Sequence, residues 1–186
     1  MAVQETITVC NGIDMDALWR TINAVKDEPA FGKSKFRIHN KWLKGGYNET
    51  TVSDFYGAGQ ENPHKQTFVL DADEPEVLAG EDHAANPAEQ LLHALAACLT
   101  TSMVYHAATR GIEIEELESR LEGDLDLQGF MGLSPDVRKG YQNIRITFRV
   151  KTDSENVEKL RELAEFSPVL DVVSRGTSVD IKVEPW

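Results

Sequence analysis

An α+β fold is predicted for this 186-residue chain by three features. One long apolar segment, Leu91 to Ala108, lies mid-chain at helical periodicity. Segments with period-two alternation stand on both sides of it. No repeat, low-complexity tract or long linker divides the chain. The architecture expected is antiparallel sheets wrapped around a central apolar helix.

Met15, Leu18, Trp19, Ile22 and Val25 recur at helical spacing, with Asp14 placed to cap the helix and Pro29 to close it. After Gly32 the period becomes two. Phe36, Ile38, Asn40 and Trp42 alternate, Gly45-Gly46 turns the chain, and Tyr47 to Phe55 completes a hairpin. Gly57 to His64 reads as a loop, Thr67 to Leu70 as a short strand, and Asp71 to Asp82 as solvated acidic surface. Asn86-Pro87 starts the central helix, which Gly111 ends near Arg110. From Glu116 to Leu127, apolar Leu117, Leu121, Leu125 and Leu127 alternate with charged neighbours, which predicts a strand with one dry face. Gly129 to Gly132 makes a loop with Phe130 and Met131 outward, and Ile144, Ile146, Phe148 and Val150 mark a further strand. A helix carrying Val157, Leu160 and Leu163, a short one from Ser167-Pro168 to Val173, and a closing strand over Val179, Ile181 and Val183 complete the reading.

Charge narrows the partners. Nineteen Lys+Arg against 31 Asp+Glu give a net charge of -12, so the surface repels phosphate polyanions and anionic membranes. Neither nucleic acid nor membrane is expected as a partner. The apolar segment is barely long enough to span a bilayer and carries His93, Thr100, Thr101, Ser102 and His106, so it reads as a core helix. Two cysteines, Cys10 and Cys98, are too few for a disulfide scaffold, and no signal segment precedes them. A cytoplasmic protein is expected. The five histidines are scattered without ligand spacing, so neither a metal nor another cofactor is expected.

Cys98 is the candidate reactive group. Leu91, Ala94, Leu95, Thr101, Ser102 and Tyr105 lie three, four or seven residues from it, so the thiol stands on a mixed apolar and hydroxyl stripe. A cleft there suits an oily substrate with a polar end. Its place about twelve residues into the helix is beyond the reach of the N-terminal dipole, so a thiolate needs a cation from elsewhere. His93 and His106 have poor geometry for a Cys-His hydrolase.

Asn86-Pro87-Ala88-Glu89-Gln90-Leu91-Leu92 leading to Ala96-Ala97-Cys98 resembles the OsmC/Ohr family of thiol-dependent organic hydroperoxide reductases. Gly111-Ile112, Leu121-Glu122-Gly123-Asp124-Leu125, Gly129 to Gly132 and Ser167-Pro168-Val169 follow the family pattern in order. The resemblance implies an OsmC-like domain over residues 33–186 behind an N-terminal helical extension, residues 1–32, and an intertwined homodimer. The helix is also apolar on nearly all sides, more than one chain's strands need to cover.

The resemblance further implies Cys98 as the peroxidatic thiol and Glu89 as its carboxylate partner, although an ideal helix puts Glu89 half a turn around from Cys98. It also implies Leu91, Tyr105, Phe130, Met131 and Tyr47 as substrate-binding residues. The chain departs from the family at three places, the first being that the family's glutamate position falls on Ala88, one residue before Glu89. Ser167 stands at the resolving cysteine, and Tyr47 stands where an arginine follows the Gly-Gly turn, with Lys44 and Arg37 the nearest cations. Two functions are therefore expected to compete. One is reduction of organic or lipid-like hydroperoxides by Cys98 with an external thiol reductant; the other is binding of an apolar small molecule in a dimer-interface cleft.

Overall fold

The computed structural model describes residues 8–185, which fall into two compact units divided between Leu91 and Leu92. The first unit opens with a hairpin, β1 (Val9–Cys10) and β2 (Ile13–Asp14), around Asn11-Gly12. Both turn residues have positive φ, 52° and 77°, the geometry that Asn-Gly turns favour. Helix α1 (Met15–Asp27) follows, capped as expected by Asp14, whose side chain accepts from the Ala17 N–H at 2.9 Å.

The sheet of this unit holds β3 (Lys35–Phe36), β4 (His39–Lys44), β5 (Tyr47–Gly57) and β6 (Gln60–Ala72), all antiparallel, with β5 paired to the other three. The loop expected at Gly57 to His64 is corrected here. Only Ala58 and Gly59 turn, with φ of 50° and 77°, and Gln60 onward is already strand. Pro63 is accommodated because β6 bonds only to β5 and the register shifts beside it, between Val52 and Asp54. Pro-Gly-Asn composition signalled a loop; an edge strand tolerates it.

Helix α2 (Pro87–Ala108) begins in the first unit and continues in the second. Asn86 Oδ1 accepts from the Glu89 N–H at 2.8 Å while Glu89 Oε2 accepts from the Asn86 N–H at 2.9 Å, a reciprocal capping box. In the second unit, Leu95, Leu99, Met103 and Ala107, four residues apart, form the buried stripe of α2. It packs with Ile112, with Leu160, Leu163 and Ala164 of α4 (Val157–Ala164), and with the inner faces of β7 (Glu116–Asp124) and β8 (Asn143–Lys151). The charged alternation of these strands is their outer face, where Glu118 meets Arg149 and Asp124 meets Arg145 across the pair. Helix α5 (Pro168–Arg175) is capped by Ser167, which is buried and accepts from the Leu170 N–H at 3.1 Å.

Two further expectations change. The strand predicted to reach Leu127 stops at Asp124, and a single helical turn, α3 (Leu127–Phe130), starts where Asp126 accepts from the Gln128 N–H. The closing strand does not form. Val179, Ile181 and Val183 alternate as a strand would but are 74%, 85% and 89% exposed, because no neighbouring backbone pairs with them in the single chain.

Candidate functional site

Cys98 is a free, half-buried thiol in the middle of α2. Its stripe lies beside the core stripe: of the residues expected to share it, Leu95 is buried in the core, whereas Leu91, Ala94, Thr101 and Tyr105 are exposed and Ser102 is half-buried. The helix thus offers one flank to the core and the thiol flank to whatever covers it. Phe130 and Met131, in the connection between β7 and β8, are also exposed, as is Leu133 beside them. On the core side, Leu99, Met103, Ile146, Phe148, Leu160 and Leu170 line an apolar cavity of about 430 Å³ with Arg161 and Glu165 also in its wall; Cys98 takes no part in it.

The remaining expected site residues, Glu89, Leu91 and Tyr47, belong to the first unit. Glu89 is exposed and its carboxylate is occupied by the capping box, the role its position near a helix N-terminus favours. Leu91 is exposed. Tyr47 is half-buried, its ring stacked on His83 with centroids 5.6 Å apart, and its hydroxyl donates to Asp71 at 3.4 Å. Burial and then the Asp71 carboxylate hold the Tyr47 phenol above its ordinary pKa, so it stays protonated at neutral pH.

Beneath Tyr47 lies a group that the charge pattern concealed. Asp73, read as part of a solvated acidic run, is 1% exposed and organises the loop after β6. Its Oδ1 accepts from the Glu74 N–H at 2.8 Å, and its Oδ2 accepts from the N–H groups of Glu81 and His83 and contacts His83 Nδ1, each at 3.2 Å. Burial pushes the Asp73 carboxyl up, but these donors more than reverse it and leave it below the usual carboxylate range. The loop is tightly wound: a Cβ on Gly80 would lie 1.7 Å from the Glu74 carbonyl oxygen. A glycine followed closely by a histidine in an otherwise acidic run was the available signal for it.

Both candidate cations are engaged. Arg37 donates to Asp54 Oδ1 from Nε and Nη2 at 3.0 and 2.6 Å and also binds Glu61, and these partners, Glu61 foremost, raise its pKa further. Lys44 Nζ binds both carboxylate oxygens of Glu81 at 2.7 and 2.8 Å. In the second unit, His106 stacks on Phe166 at 4.3 Å, and burial, then Arg110, lowers its pKa.

The model of the OsmC-like protein family matches residues 80–182, more than half of the chain, from the loop before α2 through the closing segment. The chain belongs to the OsmC-like protein family. Solved structures agree on the fold. An osmotic stress induced and detoxification response protein from Psychrobacter arcticus aligns with a TM-score of 0.57 at 13% identity, covering 75% of this chain and 88% of that one. An OsmC-like protein from Mycoplasma pneumoniae gives 0.54 at 18% identity over 76% and 88%. The organic hydroperoxide resistance protein OsmC from Legionella pneumophila gives 0.52 at 19% identity over 76% and 91%. A comparison with curated proteins gives no match. At such identities the likeness extends to the fold, a mixed helix and sheet chain with antiparallel sheets and one long apolar helix, α2.

Proposed function

We propose that this OsmC-like chain reduces organic or lipid-like hydroperoxides through Cys98, with an external thiol as reductant. The supporting observation is a free, half-buried thiol on the open flank of α2, following the Asn-Pro start of the matched helix. The sulfur attacks the terminal peroxide oxygen, the O–O bond breaks, and Cys98–SH plus ROOH becomes Cys98–SOH plus ROH. Ser167 carries no thiol and caps α5, so two external thiols return Cys98 to its starting state and release water and their own disulfide. A catalytic thiol that must be kept reduced suits the cytoplasm. In this reading Tyr105, Phe130 and Met131, which belong to the same unit as Cys98, receive the substrate.

The working unit in this proposal is an intertwined homodimer. Trp42, Leu70 and Phe68 share one face of the first unit's sheet by register, and Phe36, Phe55, His64 and Phe68 form a run of ring contacts; Trp42, Leu70, Phe68 and Phe36 are all exposed. An apolar sheet face of this kind calls for cover. So do the free edge of β8 and the unpaired alternation of Val179, Ile181 and Val183, which a second copy can satisfy by strand exchange. Sedimentation at micromolar concentration tests this; a natively folded monomer would refute it.

A second reading, binding of an apolar small molecule without chemistry, is favoured by the ion pairs that occupy Arg37 and Lys44. Intact-mass analysis separates the two. With one equivalent of cumene hydroperoxide, wild type and Cys10→Ser should gain one oxygen that added dithiothreitol removes, and Cys98→Ser should gain none. An unmodified wild type leaves the binding reading.

A further inference from the structure

We propose that Thr101 and Ser102 are catalytic residues of the reaction assigned to Cys98, donating hydrogen bonds to the peroxide oxygens as the O–O bond breaks. The inference rests on the peroxidase reading and concerns one turn of α2 within the second unit.

Residues three and four positions apart on a helix are face neighbours, with Cβ atoms about 5–6 Å apart. Helical side chains also lean toward the N-terminus, so a residue covers the turn before its own Cα. Thr101 and Ser102, one turn after Cys98, therefore lean back over the thiol from its two sides. Thr101 stands clear of the core stripe of Leu95, Leu99, Met103 and Ala107 and is exposed, and Ser102, seven residues after Leu95, borders that stripe and is half-buried like Cys98 itself.

Mid-helix hydroxyls usually turn back to a carbonyl of the preceding turn. Thr21 does so in α1, to Ala17 at 3.2 Å, and Thr109 bonds to the His106 carbonyl at 2.9 Å. The hydroxyls of Thr101 and Ser102 have no hydrogen-bond partner among the described residues, the Cys98 sulfur included. Two donors beside the thiol are thus unspent. At one helical turn's remove they suit an oxygen lying over the sulfur better than the sulfur itself.

The chemistry needs donors there. As the sulfur's electron pair forms the S–O bond, the O–O pair departs on the alkoxide oxygen, which then takes up the proton that the thiol gave up. Negative charge grows on that oxygen, and hydroxyl donors aimed at it stabilise the transition state more than the bound hydroperoxide. Arg37 and Lys44 are held by their carboxylates, so neutral donors on the thiol's own helix are the groups at hand.

The test compares two reactions of the same thiol in Thr101→Val, Ser102→Ala, the double variant and Thr100→Val, whose hydroxyl stands on another side of the helix. Reaction with cumene hydroperoxide requires charge on a departing oxygen; alkylation by iodoacetamide requires only the thiolate. Removing one oxyanion donor from an enclosed site costs roughly 10²–10³ in rate, so at this more open site the double variant should lose at least about tenfold toward hydroperoxide. Its alkylation rate and helical circular dichroism should stay within about twofold of wild type, and Thr100→Val should match wild type in both reactions. Equal hydroperoxide rates in wild type and double variant overturn the proposal, as does a parallel fall in both reactions. A wild-type thiol that alkylates but ignores hydroperoxide instead removes the peroxidase reading, and this proposal with it.

Discussion

Replacing Leu95 by alanine tests whether α2 is held by its core stripe. Leu95 is 1% exposed and packs in the cluster with Leu99, Met103, Leu160 and Leu163. The substitution removes three carbons from a dry site. At about 0.8 kcal/mol for each buried methylene, the transfer cost alone is about 2.4 kcal/mol. Every 40 Å³ of void that the neighbours fail to fill adds about 1 kcal/mol, and buried leucine-to-alanine replacements in general cost about 2.7–5.0 kcal/mol. With the transfer cost and a partly filled void together, about 3–4 kcal/mol is expected. Urea unfolding followed by far-UV circular dichroism at one fixed protein concentration reads it as a lower midpoint with an unchanged slope. Val77→Ala, at an 83% exposed position, is the control and should shift stability by less than about 0.5 kcal/mol. A loss below about 1 kcal/mol for Leu95→Ala would show that this stripe does not carry the unit.

Three further outcomes are expected. Ser167→Ala should cost about 1 kcal/mol in the same unfolding assay, because the α5 cap is lost, without changing the alkylation rate of Cys98. Asp73, whose pKa is lowered on folding, contributes stability that is present at neutral pH and is lost as pH falls through that lowered value; Asp73→Asn should lower the melting temperature at pH 7 and flatten its acid limb. His106 is depressed by burial and then by Arg110, so folding favours its neutral form and loses stability as pH falls below the ordinary imidazole range; Arg110→Gln should move the His106 NMR titration midpoint upward, and an unmoved midpoint would remove Arg110 from the account.

Much of the fold was legible because its signals are local. The alternation of Leu117 and Leu121 with charged residues reports a strand between core and water, and Asn86-Pro87 reports a helix start, whatever lies elsewhere in the chain. The same locality misled at Gly57 to His64, where turn-forming residues belong to an edge strand, and at Val179 to Val183, where a strand pattern finds no partner. Asn11-Gly12 is a further local hairpin signal, and the chain pairs β1 with β2 around it. Of the site, the open stripe around Cys98 followed from helical spacing except at Leu95, which the core takes. The burial of Asp73 did not, because its donors come from residues up to ten positions further along a loop with no periodicity.

By itself, then, the sequence determined which residues alternate, which stripe of α2 is apolar, where its helices are capped and which thiol stands among hydroxyls. Those properties depend on backbone periods and short-range hydrogen bonds, and they hold for any arrangement of the rest. Only the tertiary structure decided that Asp73 is a buried acceptor rather than solvated charge, that Arg37 and Lys44 are bound by carboxylates, and that Ser167 is buried as it caps α5. Each of these turns on which distant groups meet in space. A charge's partners and a side chain's access to water are set by that meeting, and residue type alone does not carry it.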